Sequence, residues 1–247
     1  MRALVTGGTK GIGRAVALRL AELPDARLAL NYLSDQDAAK ETAGDVVSRG
    51  GEPLLIQEDA CSQDGAGTIA ERVSSEFGGL DVLVHCAVKP IAGSALFTDE
   101  DEFRRGIDAN GLSFLWLVRA CLDLLGPGAS AVFLTSGGST RAVPNYAPLG
   151  GAKALGEALV RYLAAELAPR GVRVNAVSSG AVDTEALRAV MPNEVAEQLL
   201  RTSAQRNPSG RALEPADVAG VVAMLASPDS AMVQGQVIRV DGGLGLL

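Results

Sequence analysis

Short apolar runs rich in β-branched residues alternate with longer helical patterns along the 247-residue chain, and this rhythm constrains the fold most tightly. Residues 2–6, 27–32, 54–57, 82–85, 131–135, 172–177 and 236–241 read as strands. Residues 12–23, 36–49, 103–125, 148–168 and 215–226 read as helices, and Ile69, Val73 and Phe77 mark the apolar stripe of one more. Such alternation implies parallel strands joined by right-handed crossovers, with helices on both faces. The expected fold is therefore α/β: a single doubly wound domain over residues 1–247, on a seven-stranded parallel sheet. Sheets of this kind bind ligands beyond the carboxyl ends of their strands, where strand order reverses. The rhythm breaks at residues 183–211, partly helical over 194–201, which predicts a substrate flap.

Between the first strand and the first helix stands Thr6-Gly7-Gly8-Thr9-Lys10-Gly11-Ile12-Gly13. Gly7 can make the tight turn, Gly11 lets backbone approach a pyrophosphate, and Gly13 permits close helix–strand packing. The helix N-terminus adds unpaired N–H groups and the positive end of its dipole. Thr9, Lys10 and Ile12 complete the expected cofactor-binding loop. An ordinary glycine-rich turn has a similar composition, but the position on the first strand of a βαβ unit is what dinucleotide binding requires. NAD sites usually place an acid at the end of the second strand, against the ribose hydroxyls. Here that strand ends Leu30-Asn31-Tyr32-Leu33-Ser34, with no carboxylate before Asp35. Neutral Asn31 does not repel a 2′-phosphate and Lys10 can pair with one, so NADPH is expected ahead of NADH. The bland alternative for Lys10 is a solvated loop lysine.

Composition excludes several other classes. With 22 basic against 29 acidic residues, the net charge of −7 argues against a nucleic-acid partner, which requires a basic face. Hydrophobic residues at 47% and charged ones at 21% argue against disorder. No run approaches the ~18 apolar residues of a membrane span, and the opening residues lack a signal-peptide pattern. Cys61, Cys86 and Cys121 are widely spaced, consistent with free thiols in a reducing compartment, so a cytoplasmic protein is expected.

Further motifs follow in order: Asp59 after the third strand, Asp108-Ala109-Asn110-Gly111, Ser136 ending the fifth strand, and Gly151-Ala152-Lys153-Ala154. Val174-Asn175-Ala176-Val177 then precedes Ser179-Gly180-Ala181-Val182-Asp183-Thr184, and Val240-Asp241-Gly242-Gly243 comes near the end. With the glycine loop, these resemble the short-chain dehydrogenase/reductases over the whole chain. The resemblance implies a Rossmann-type fold, with adenine-side contacts at Asp59, Ala60 and Ala87. It also implies nicotinamide-side contacts at Gly180, Val182 and Thr184, ribose contacts from Lys153, an active-site asparagine at Asn110, and a homotetramer.

The departures are more informative. In the family, the catalytic tyrosine lies thirteen residues after the serine and four before the lysine. Measured from Ser136 and from Lys153, both rulers fall on position 149, which is Leu149. Tyr146 stands nearby, seven residues before Lys153. This spacing resembles the enoyl-acyl-carrier-protein reductases within the superfamily, specifically the subtype with an ordinary glycine loop. On a helix, separations of four and seven residues share a face but differ in height, about 6 Å against about 10.5 Å. Pro148 suits a first helical turn, so Tyr146 is expected just outside the helix, on its approach. A phenol displaced in this way suits an oxygen remote from the carbon that receives hydride, as in 1,4-addition to an enoyl thioester.

The expected activity is therefore NADPH-dependent reduction of the C2–C3 double bond of an acyl thioester, with an acyl carrier protein as a candidate partner. Tyr146, Lys153, Ser136 and Asn110 are the catalytic candidates. Tyr146 as mere packing, Ser136 as pocket lining and Asn110 as a helix prop are the structural alternatives. Two rival functions stand beside this one: a reductase or dehydrogenase acting on C=O or C=N, and a dinucleotide-binding sensor without turnover. His85, the sole histidine, and Cys86 occupy positions where the family usually has asparagines. His85 reads as a hydrogen-bonded structural residue, and Cys86 as an inert thiol with no cation beside it. Leu187, Val190, Met191, Leu199 and Leu200 of the flap are candidate acyl-chain lining, and Arg188, Arg201, Arg206 and Arg211 candidate carrier contacts. No metal site is expected.

Overall fold

The computed structural model describes residues 1–246. Seven parallel strands form one sheet in the order β3-β2-β1-β4-β5-β6-β7. They are β1 (Arg2–Thr6), β2 (Arg27–Tyr32), β3 (Glu52–Gln57), β4 (Leu80–His85), β5 (Leu125–Ser136), β6 (Arg173–Ser179) and β7 (Val237–Val240). The chain winds outward from β1 to β3, then returns to the other side of β1 with β4. The reversal lies between β1 and β4, where Thr6 pairs with His85 and both carboxyl ends meet.

Helices cover both faces because the strands carry apolar side chains on both. On one face α3 (Gln63–Phe77), α5 (Ser113–Ala120) and α6 (Ala147–Leu167) bury Ile69, Phe114 and Val160 against Phe133 of the sheet. On the other, α1 (Gly11–Ala21), α2 (Gln36–Ser48) and α9 (Pro215–Ala226) bury Val16, Leu20, Val46 and Leu225 against Val84 and Val132. The flap holds two helices, α7 (Glu185–Ala189) and α8 (Asn193–Arg206), where one over 194–201 was expected.

The largest difference from expectation falls on residues 103–125, which do not form one helix. The segment starts earlier, as α4 (Glu100–Ile107), because the Asp99 side chain accepts from the N–H groups of Asp101 and Glu102. A five-residue π turn, Asp108–Leu112, then interrupts it before α5. Helix ends at Ala120 because the apolar residues beyond it serve the sheet: Cys121 is buried, Leu80 N–H donates to the Leu124 carbonyl, and Leu125 pairs with Leu80. β5 is accordingly longer than residues 131–135, with a register irregularity opposite Leu80 and Val82. Among the described residues, no helix is long and apolar enough to cross a membrane, and no cluster of ligating side chains suits a metal ion.

Candidate active site

A cavity of about 900 Å³ opens at the carboxyl ends of the central strands, on the reversal between β1 and β4. All the residues expected to touch the cofactor line it: Gly7, Thr9, Lys10, Gly11, Ile12, Gly13, Asn31, Asp59, Ala60, Ala87, Lys153, Gly180, Val182 and Thr184. The glycine loop has the shape a pyrophosphate requires. A Cβ on Gly13 would lie 2.0 Å from the Gly7 carbonyl oxygen, so no other residue fits there. Gly11 takes φ of 51°, and a Cβ there would crowd the Thr184 methyl at 3.1 Å. The bare backbone and the open N-terminus of α1 thus fit a dinucleotide, with the flap edge at Thr184 immediately beside them. Thr184 itself caps α7, accepting from Leu187 N–H at 3.2 Å.

Three of the expected contacts also have protein partners of their own. Asn31 is 2% exposed, and its amide is spent on backbone: Oδ1 accepts from Gly7 N–H, and Nδ2 donates to the carbonyls of Ile56 and Glu58. It braces the glycine loop. The Lys10 ammonium is not a free loop cation; it pairs with Asp35 at 2.6 Å and with Glu185 of α7 at 2.8 Å. Hydrogen bonding to these two carboxylates, Asp35 foremost, raises its pKa. Asp59 accepts from Cys61 N–H at 3.0 Å and pairs with Lys89 at 2.7 Å. Lys89 was missed by sequence reasoning, since nothing marks a single lysine after β4; it lines the same cavity.

The catalytic candidates Ser136, Tyr146 and Lys153 come from β5 and α6. Tyr146 is the N-cap residue of α6, with Pro148 in the first turn, so it stands just outside the helix as its sequence context predicts. Its hydroxyl is 3.3 Å from the Ser136 hydroxyl at the end of β5. The ring rests on Gly138, where a Cβ would lie 2.6 Å from Cε1. Burial raises the phenol pKa, and the Ser136 hydrogen bond partly offsets this. Lys153 donates to the Leu134 carbonyl at 2.8 Å and lies over the Phe133 ring at 4.5 Å. Burial lowers its pKa to about 8, so it stays largely protonated at neutral pH. Leu149, on the first turns of α6, is buried and forms part of the cavity wall.

Asn110 is the expected catalytic residue that the structure sets apart from the cavity wall. From within the π turn, Oδ1 accepts from Lys89 N–H at 2.9 Å, and Nδ2 donates to the carbonyls of Lys89 and Gly106. It clamps the backbone of the loop after β4, a positioning task that engages both amide N–H groups and the oxygen. His85 is fully buried. Nε2 lies 2.9 Å from Ser113 Oγ, whose proton goes to the Ala109 carbonyl, so Nε2 carries the proton. Nδ1 then accepts from the Thr6 hydroxyl at 2.8 Å, and Thr6 Oγ1 accepts from Ala87 N–H. Burial pushes the imidazole pKa down to about 3. Contrary to expectation, a cation does act on Cys86: the Lys153 charge lowers its pKa, but burial outweighs this and holds the thiol up at about 12.

In the flap, Leu187 and Val190 line the cavity, whereas Met191, Leu199 and Leu200 do not. Arg188 and Arg211 pair with Asp183 and Asp217, respectively.

A Rossmann-type sheet with a glycine loop, an open switch-point cavity, and a Ser–Tyr–Lys group beside it defines a dinucleotide-dependent oxidoreductase. The family model described as enoyl-(acyl carrier protein) reductase matches residues 7–245. Similar proteins include 1-cyclohexenylcarbonyl-CoA reductase of Streptomyces collinus, 32% identical over 99% of this chain and 86% of that protein. A 3-oxoacyl-acyl-carrier-protein reductase of Staphylococcus epidermidis is 32% identical over 98% of each chain. Among solved structures, a short chain dehydrogenase from Burkholderia cenocepacia in complex with NADP superposes with a TM-score of 0.88, at 29% identity, covering 99% of this chain and 97% of that one. The chain belongs to the short-chain dehydrogenase/reductase superfamily.

Proposed function

We propose that the protein is an NADPH-dependent reductase of the C2–C3 double bond of an enoyl thioester. The observation that carries this reading is the place of the phenol: Tyr146 at the N-cap of α6, seven residues before Lys153, with Leu149 at the position of the usual tyrosine. A bound nicotinamide would supply the hydride, which goes to C3 of the substrate. The negative charge that results is shared between C2 and the thioester oxygen, away from the carbon that accepted hydride. Tyr146, its neutral form favoured by burial, donates its O–H to that oxygen. Lys153 sets a positive charge close to this oxyanion, and Ser136 holds the phenol in line. C2 then takes a proton from a solvent water reaching the open cavity, whose hydroxide returns to bulk, completing the saturated acyl thioester. The glycine loop and the α1 N-terminus would hold the pyrophosphate, and Lys10, which lines the same cavity, is the cation that would meet a 2′-phosphate.

The description of the matching family model and the Streptomyces relative support the reading. An acyl carrier protein as the thioester's bearer and a homotetrameric assembly belong to the same proposal. A second reading, reduction of a ketone, is favoured by the Ser136–Tyr146 hydrogen bond, a donor pair equally suited to a carbonyl oxygen, and by the 3-oxoacyl reductase relative. NADPH absorbance followed with crotonyl and with acetoacetyl thioesters separates the two. Oxidation with the crotonyl substrate is expected; oxidation with acetoacetyl alone would overturn the enoyl reading in favour of the second.

A further inference from the structure

Tyr146 reaches the cavity from a turn, and that turn has an uncommon backbone. Among the described residues, only Asp25 and Asn145 take positive φ without being glycine, and Asn145 does so at 55°, immediately before the phenol. A side chain at such φ is strained, and asparagine tolerates it better than most. Tyr146 N–H donates to the Val143 carbonyl at 3.2 Å, closing a turn over residues 143–146 with Pro144 second and Asn145 third. Proline followed by a positive-φ residue is the pattern of a type II turn.

The Asn145 side chain is exposed and makes no hydrogen bond among the described residues, so its backbone does the holding. Its carbonyl accepts from Gly93 N–H at 2.9 Å, and the Gly93 carbonyl accepts from Ala147 N–H at 3.0 Å. These two bonds form a parallel bridge between Gly93 and Tyr146. Gly93 is itself fixed: a Cβ there would lie 2.1 Å from Thr98 Oγ1, whose hydroxyl donates to the Ser94 carbonyl at 2.7 Å. The peptides on both sides of Tyr146 are therefore held by one glycine of the loop that follows β4.

We propose that Asn145 is a positioning residue: its left-handed backbone, locked by Gly93, aims the Tyr146 phenol at Ser136, replacing the helical turn that would present a phenol from position 149. The functional consequence rests on Tyr146 being the donor in the reaction proposed above. The geometric claim stands apart from it and is read without turnover.

The test uses full-length protein labelled with 3-fluorotyrosine, whose three tyrosines give fluorine resonances that Tyr146→Phe assigns. Asn145→Ala and Gly93→Ala are expected to move the Tyr146 resonance and leave those of Tyr32 and Tyr162. Asn145→Gly, free to adopt the same φ, is expected to leave all three in place. In turnover, Asn145→Ala should lower kcat on the order of tenfold with KM for NADPH unchanged, while Asn145→Gly stays within about twofold of the parent. An unmoved Tyr146 resonance in Asn145→Ala overturns the proposal, as does an equal displacement in Asn145→Gly, which would assign the effect to the side chain. A moved resonance together with full turnover in Tyr146→Phe would refute the reaction reading and leave the positioning role standing.

Discussion

The phenol of Tyr146 lies 3.3 Å from the hydroxyl of Ser136, although it springs from the N-cap of α6 and not from the turn that carries Leu149. The two hydroxyls thus meet from β5 and from the approach to a helix, and Leu149 occupies the wall between the helix and the cavity. Tyr146→Phe removes the donor while leaving ring packing on Gly138 intact. Its kcat with a crotonyl thioester should fall by about 10²–10³-fold, with NADPH affinity unchanged by fluorescence titration. Undiminished turnover would remove Tyr146 from the mechanism.

Lys153 is buried without a carboxylate against its ammonium, and its pKa lies below the ordinary lysine range, at about 8. A lysine whose folded pKa is depressed destabilises the fold wherever it is charged, so at neutral pH its ammonium opposes folding. Lys153→Met should therefore unfold at equal or higher denaturant concentration while losing almost all turnover. A variant that is both inactive and strongly destabilised would show that the lysine holds the fold as well.

His85 gives a pH dependence of the same sign by the same physics. Its folded pKa, about 3, lies below the ordinary imidazole value of 6.5, so the unfolded chain takes up a proton that the folded one refuses. Stability is full above about pH 6.5 and falls as pH drops toward 3, with a slope of at most about 1.4 kcal/mol per unit from this group. Chemical denaturation at pH 7 and pH 5 should show His85→Asn closing its gap to the parent as pH falls. A constant gap would mean that the imidazole does not stay neutral.

Lys10 is shared between Asp35 and Glu185, so the cation proposed to meet a 2′-phosphate is already partly neutralised. Lys10→Ala should raise KM for NADPH about tenfold and barely change that for NADH, whereas Glu185→Gln should lower KM for NADPH, most clearly at low salt. Equal changes for both cofactors would dissociate Lys10 from the choice between them.

Asn110 holds Lys89 by both backbone groups, and Lys89 in turn pairs with Asp59. Asn110→Ala should cost about 1–3 kcal/mol, because it leaves buried backbone groups unpaired. It should weaken cofactor binding more than it lowers kcat, as isothermal titration alongside steady-state kinetics would reveal. A loss confined to kcat would return Asn110 to the reacting centre.

Much of this molecule is local in origin, and so was legible in the residues themselves. The strands follow from β-branched runs, the glycine loop from steric need at Gly13 and Gly11, and the N-cap place of Tyr146 from Pro148 two positions later. Residues 103–125 misled because apolar content alone does not say which neighbour it serves: Cys121 and Leu125 serve the sheet, and a π turn leaves no periodic mark. The partners of Asn31, Lys10 and Lys89 were equally hidden. Each hydrogen bond or ion pair joins segments far apart in the chain, such as Lys10 with Glu185 across 175 positions.

The sequence by itself determined the sheet-and-helix alternation, the cofactor loop and the displacement of the tyrosine, since each depends on sterics and spacing within a few turns of chain. Only the tertiary structure decided how the polar side chains are spent. It turned Asn31 and Asn110 inward to backbone groups, made His85 a neutral link between Thr6 and Ser113, and aimed Tyr146 through the left-handed turn at Asn145. A buried polar group must find a partner wherever the fold brings one, and that choice is made in space, not along the chain.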